Sequence, residues 1–241
     1  MARMSQLTIK VLVPNSEMDQ ATLHEREKML SRAVSQGVQI SVDCIPAGPD
    51  SIESVTDEIL AGPYLLRLGQ QAQANGFDAV VIYCFSDLAL GALRENLSIP
   101  VIGPGEISLA VAGMLSNRFT VITTVERNIS RTLRRLMENP VCREKLTRVR
   151  ALNIPVVELR DNPQATMDYL RKACKAAVEE DQSDTLVLGC LGMAEYGDSL
   201  EQEFGIKVVD PAFLAVAWAE LSVRLHLIPS HRSYGNRQEG T

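Results

Sequence analysis

Cys84 and Cys190 stand at matching points of two similar stretches, DAVVIYCFSDLALG at 78–91 and DTLVLGCLGMAEYGD at 184–198. Each stretch runs from an acidic residue through four or five apolar residues, patterned as a buried strand, to a cysteine where the run stops. One or two small or polar residues and a helix-like pattern follow. Asp78 to Asp184 and Cys84 to Cys190 are both separations of 106, so the two stretches keep internal register. A lone cysteine at a strand end says little; two in equivalent places suggest a pair of thiols facing one site. A cysteine just before a helix is expected to feel the helix's unpaired N–H groups and positive end, which favour thiolate. One thiolate and one thiol on opposite faces of a carbon make a base and an acid. Such a pair removes a proton from one face and returns it to the other, which is racemisation without a cofactor. Backbone amides at these strand ends, with Asn15, Thr123 and Thr124, would hold the oxyanion of an enolate-like intermediate.

The other chemistry-bearing residues exclude several classes. Cys44, Cys142 and Cys174 read as small buried hydrophobes. Five cysteines, an odd number with no C-x-x-C, argue for thiols rather than a disulfide framework. His24, His226 and His231 lie far from them in sequence, so no metal site is expected. Gly103-Pro104-Gly105 lacks the third glycine of a dinucleotide fingerprint. Among 241 residues, 46% are hydrophobic and 22% charged, with net charge −6, an ordinary globular composition with no basic footprint for nucleic acid or anionic membrane. No apolar run reaches the ~18–20 residues of a membrane span. The N-terminus passes directly into a short strand-like run without a signal peptide's features, so a cytoplasmic protein acting on a small molecule is expected.

The elements that must position the cysteines alternate in type. Strand patterns occur at 7–13, at VQISVDCI, before Cys84, at 99–102, at RFTVITT, at VRALNIPVVEL, before Cys190 and at IKVVDP. Helical patterns lie between them: 19–34, a helix ending near Ala74, one after each cysteine, and others at 106–116, 126–137, 164–178 and 212–226. LAVA at 109–112 recurs as LAVA at 214–217, an offset of 105 that echoes the cysteine spacing. The order is βαβαβαβα twice, and short continuously apolar strands between amphipathic helices argue for parallel sheets covered on both faces. An α/β fold of two pseudo-symmetric lobes is therefore expected, each a short, mostly parallel sheet flanked by helices, with the active site in the cleft between them. Lobe 1 is placed at 1–113, with residues 212–230 packing back on it; lobe 2 is placed at 114–211, and 231–241 is a polar, frayed tail. In open parallel sheets ligands bind beyond the carboxyl ends of the strands. Those ends carry Pro14-Asn15-Ser16, Cys84-Phe85-Ser86, Thr123-Thr124 and Cys190-Leu191-Gly192.

The chain resembles the aspartate/glutamate/hydantoin racemase superfamily, and within it the hydantoin and allantoin racemase branch. Pro14-Asn15-Ser16, GPDSIES with DE at 48–58, Cys84-Phe85-Ser86-Asp87, PVIGPGE at 100–106, RFTVITT at 118–124 and LGCLGM at 188–193 carry this resemblance. It implies cofactor-independent proton transfer by Cys84 and Cys190. It also implies contacts to the substrate's carbonyl and ring nitrogens from Asn15, Ser86, Thr124 and the backbone amides after each cysteine. Ser16, Phe85, Thr123, Leu191 and Gly192 complete the expected substrate-binding set.

Cysteine is followed here by Phe-Ser and Leu-Gly, whereas amino-acid racemases of the superfamily typically carry Cys-Asn-Thr at both sites. Apolar neighbours with few fixed charges suit a neutral hydantoin-like ring, because a zwitterion would lose hydration without gaining partners. Val13 and Ser86 depart from the branch, which usually has asparagine and a second acid there. An amino-acid racemase or dicarboxylate isomerase is the alternative enzyme, and a catalytically silent small-molecule-binding module the alternative from another class. A homo-oligomer is expected.

Overall fold

A computed structural model describes residues 6–234. The chain divides into two compact units, one comprising residues to Pro104 together with those from Ala212 onward, the other Gly105–Pro211.

In the first unit, β1 (Thr8–Val13), β2 (Gln39–Cys44), β3 (Ala79–Ile82) and β4 (Val101–Ile102) form a wholly parallel sheet in the order β2-β1-β3-β4. Strand position explains the sequence pattern. The central β3 is buried at all four residues, whereas β2, at an edge, buries only Ile40 and Val42. Helices α1 (Gln20–Leu30), α2 (Val55–Ala74) and α3 (Leu90–Asn96) connect the strands. Asp19 caps α1 by accepting from the Thr22 amide at 2.7 Å, and Ser54 caps α2 by accepting from Asp57 at 3.1 Å. Leu12, Val80 and Ile82 pack with Leu65 of α2 and Leu93 of α3 in one apolar cluster.

The second unit repeats the plan. Strands β5 (Phe119–Thr123), β6 (Leu146–Ala151), β7 (Thr185–Leu188) and β8 (Lys207–Val209) pair in parallel in the order β6-β5-β7-β8. The helices are α4 (Pro104–Leu115), α5 (Ile129–Leu136), α6 (Pro140–Lys145), α7 (Pro163–Glu179) and α8 (Gly197–Phe204). The two acids of the repeated stretches do matching structural work. Asp78 accepts from the Thr8 amide at 2.7 Å at the start of β1, and Asp184 accepts from the Arg118 amide at 3.2 Å just before β5. Each returns its own amide to the carbonyl of the same residue, at 2.9 and 3.0 Å.

Three expectations need correction. The strand read through VRALNIPVVEL stops at Ala151, because Asn153 takes a positive φ of 61° and residues 156–158 coil into a 3-10 turn after Pro155. The helix expected at 126–137 is a 3-10 turn followed by α5, and α6 lies beyond it. The boundary placed at 113/114 falls inside α4, whose end is fixed within the second unit: Lys145 Nζ donates to the carbonyls of Gly113 and Ser116 at 2.6 and 2.9 Å. Of the tail at 231–241, His231–Tyr234 form a short helix, α10, with Arg94 Nη1 donating to the Tyr234 hydroxyl at 3.1 Å; the rest lies outside the described residues.

The last long helix, α9 (Pro211–Arg224), is tied into the first unit by Glu220, which is buried and accepts from the Ser35 amide at 2.8 Å. Burial pushes this carboxyl's pKa up, but hydrogen bonds from Ser35 and the pairing with Arg224 outweigh burial and hold it below the ordinary glutamate value. A depressed carboxylate stabilises the fold above its unfolded pKa and loses that contribution as pH falls through the folded one. Glu220→Gln should therefore cost about 2 kcal/mol near neutral pH and much less near pH 3, as read by urea unfolding; an equal penalty at both pH values would contradict this role.

Candidate active site

The thiols sit where the central strands end. After β3 the Tyr83 amide donates to the Leu12 carbonyl at 2.7 Å, and after β7 the Gly189 amide donates to the Ile122 carbonyl, also at 2.7 Å. The next residue in each case is the cysteine. A tight turn then closes the same way in both units: the Asp87 amide donates to the Cys84 carbonyl at 3.1 Å, and the Met193 amide to the Cys190 carbonyl at 3.0 Å. Cys84 and Cys190 are both half-buried, and no cysteine of the described residues is in a disulfide. The 106-residue register of the sequence is thus a register of hydrogen bonds.

The helix expected immediately after each cysteine is displaced. At Cys84, Asp87 and Ala89 take positive φ values of 52° and 59°, and α3 begins only at Leu90. At Cys190, residues 191–193 make a single 3-10 turn, and α8 begins at Gly197. The cysteines therefore belong to turns: Cys190 is the N-cap residue of its 3-10 turn, and neither cysteine caps the α-helix that follows it.

The remaining strand ends hold the other predicted residues. Asn15 Nδ2 donates to the Asp50 carbonyl at 2.7 Å, while the Ser16 hydroxyl donates to the Gly48 carbonyl at 2.9 Å and its amide to Pro49 at 2.9 Å. These two residues dock the 47–54 loop on the end of β1, and the loop's carbonyls occupy part of their hydrogen-bonding capacity. Thr123 and Thr124 are buried at the end of β5, where their carbonyls accept from Leu152 at 3.0 Å and Ile154 at 3.1 Å. Phe85 and Leu191, the residues following the cysteines, are likewise buried, whereas Ser86 and Gly192 are half-buried.

Sequence reasoning passed over several residues that shape these turns. Gly189 is obligatory: a Cβ there would lie 2.5 Å from the Ile122 carbonyl oxygen, a backbone atom that cannot yield. Its counterpart Tyr83 carries a buried ring facing the Arg26 guanidinium at 5.2 Å. Gly103 leaves room for Asp87, whose Cγ would be 2.7 Å from an added Cβ. A glycine interrupting an apolar run, as at 189, is the sequence signal for such close backbone approach. Asp87 and Leu159, which packs on Gly192, carry no comparable signal.

Cys142 and Cys174 are fully buried, and burial pushes both thiols up to about 11, with Glu203 adding a smaller push at Cys174. Among the described residues no cluster of histidine, cysteine, aspartate and glutamate could hold a metal ion, and no helix is long and apolar enough to cross a membrane.

A family model described as Asp/Glu/hydantoin racemase matches residues 10–219. Hydantoin racemase from Pseudomonas sp. (strain NS671) is 36% identical over 220 residues, covering 91% of this chain and 87% of its own. Allantoin racemase from Klebsiella pneumoniae superposes with a TM-score of 0.87 at 31% identity, over 95% of this chain and 92% of that one. Allantoin racemase from Pseudomonas fluorescens gives 0.85 at 26% identity, over 96% and 97%.

Thiol reactivity tests the placement of the cysteines. A thiol with a pKa of about 11 is thiolate in only about one molecule in ten thousand at pH 7. Iodoacetamide applied to the folded protein should therefore label Cys84 and Cys190 at least roughly tenfold faster than Cys142 and Cys174, as read by peptide mass spectrometry. Labelling of Cys142 or Cys174 at a comparable rate would contradict the arrangement.

Proposed function

This chain belongs to the Asp/Glu/hydantoin racemase family, and on that premise we propose that it racemises 5-substituted hydantoins or allantoin without a cofactor, Cys84 and Cys190 serving as base and acid. The observation that carries the proposal is the paired framework: each unit presents one half-buried thiol, next in chain to a 2.7 Å hydrogen bond between its two central strands. Two thiols built into equivalent turns suit a reaction whose two directions are chemically alike.

In the proposed reaction the thiolate of one cysteine takes the C5 proton, and the electron pair left on carbon delocalises onto the adjacent C4 carbonyl oxygen. The thiol of the other cysteine then donates its proton to the opposite face of C5. One S–H bond forms as another breaks, the substrate's composition is unchanged, and the thiols exchange roles. The enzyme is left poised for the mirror-image substrate.

The amides of Phe85, Ser86, Leu191 and Gly192, with Ser86, Thr123 and Thr124, are the proposed contacts to the ring's carbonyl and nitrogen groups. Asn15 and Ser16 contribute in this scheme chiefly by holding the 47–54 loop on the end of β1, through the bonds to Gly48, Pro49 and Asp50. The buried Phe85, Leu191 and Met193 beside the thiols favour a neutral ring over a zwitterion.

Replacing either thiol tests the two-base scheme. Cys84→Ser and Cys190→Ser should each lower racemisation by about a thousandfold, the middle of the range for a lost general acid or base. In deuterated water each variant should still exchange the C5 proton of one enantiomer only, and the two variants should differ in which. Racemisation at the parent rate by either variant would refute the scheme.

A further inference from the structure

We propose that Leu159 is a positioning residue for the Cys190 thiol, acting across the bare α-carbon of Gly192. The inference rests on the reading of Cys190 as one of the two acid–base groups, and it extends that reading to a residue outside the turn.

Gly192 has an ordinary backbone conformation, since it is not among the residues with positive φ. Its counterpart in the first unit is Ser86, which carries a side chain. The peptide geometry therefore does not demand glycine, and what the missing side chain provides is space. A Cβ built on Gly192 would lie 2.9 Å from Leu159 Cδ1, 3.8 Å from Leu159 Cβ and 3.5 Å from Cys190 Sγ. The leucine methyl and the sulfur thus both border the space that a side chain at Gly192 would fill.

Leu159 is held firmly enough to act as a wall. It is fully buried, its amide donates to the Val156 carbonyl at 3.4 Å, and its carbonyl accepts from the buried Thr166 hydroxyl at 3.0 Å. Its side chain belongs to the apolar cluster of Leu170, Leu188 and Met193. A cysteine at a turn has three staggered χ1 wells, and Cys190 packs against the apolar cluster that includes Leu159. Leu159 limits how far the thiol swings over Gly192, so the sulfur keeps one orientation while its proton comes and goes.

The two distances predict how substitutions behave. At 3.5 Å the contact of an added methyl with sulfur is ordinary, whereas at 2.9 Å the contact with Leu159 forces a shift. Gly192→Ala should therefore act through Leu159, and trimming that leucine should undo it.

The test measures iodoacetamide labelling of Cys190 and Cys84 in the same sample, together with kcat and KM on a hydantoin. Gly192→Ala should slow labelling of Cys190 by about tenfold and lower kcat by 10- to 100-fold with KM little changed, as a misplacement of about 1 Å does, leaving Cys84 labelling unaltered. Gly192→Ala combined with Leu159→Val should return both quantities to within about threefold of the parent. Leu159→Val alone, which widens the gap, should speed Cys190 labelling and lower kcat. Unchanged Cys190 labelling in Gly192→Ala, or a double variant no better than the single, would overturn the proposal. Should Gly192→Ala not fold, Leu159→Val decides alone, and unaltered labelling of Cys190 there would overturn it. Labelling needs no turnover: a protein inactive on every ring whose Cys190 still obeys this pattern refutes the racemase reading and leaves the positioning role standing.

Discussion

One hydrogen bond in each unit fixes where a thiol can be. The amide that ends the central strand donates at 2.7 Å to the carbonyl of the strand beside it, Tyr83 to Leu12 and Gly189 to Ile122, and the cysteine is the next residue. At the other end of the same strand pair, Asp78 binds Thr8 and Asp184 binds Arg118, by side chain and by main chain. The pair is therefore clamped at both ends, and between the clamps run fully buried residues whose backbone groups have no water to fall back on. A one-residue slip of β3 or β7 would turn every side chain to the opposite face and carry the thiol with it.

On this common frame the two turns have been filled differently. Tyr83 faces Arg26, where Gly189 admits nothing larger than hydrogen against the Ile122 carbonyl. The Cys84 turn continues with Ser86 and Asp87, the Cys190 turn with Gly192 and Met193. Beyond β1 the chain docks a loop through Asn15 and Ser16; beyond β5 the Thr124 carbonyl accepts from Ile154, in the stretch that carries Leu159. Framework hydrogen bonds tolerate such divergence because they are main-chain bonds, or bonds of two aspartates whose side chains point away from the turns. For the proposed racemisation the useful combination would be a thiol at the same point of each unit with different neighbours around it.

The sequence made the strands legible wherever both faces are covered, as at AVVI and TLVL, since burial on two sides demands an unbroken apolar run. It was less informative where side chains and solvent share the work. The edge strand β6 ends at Ala151 because Asn153 and Pro155 turn the chain, although the apolar letters continue. The cysteines and their equivalence were readable from spacing alone. The chain that follows them was not, because a left-handed Asp87 or Ala89 looks like any helix-compatible residue in the sequence. Nor does any local pattern announce that Asn15 would reach Asp50, or that Leu159 would pack over Gly192; these meetings depend on loops whose course is set by the fold.

Whether the protein racemises a ring is read by polarimetry. Enantiopure allantoin and an enantiopure 5-benzylhydantoin would be incubated with metal-free protein, and the optical rotation followed against a protein-free control. Rotation should decay to zero on at least one of the two rings, with no added cofactor and no change in substrate composition. Rotation that falls no faster than the control on both rings would contradict the proposed racemisation.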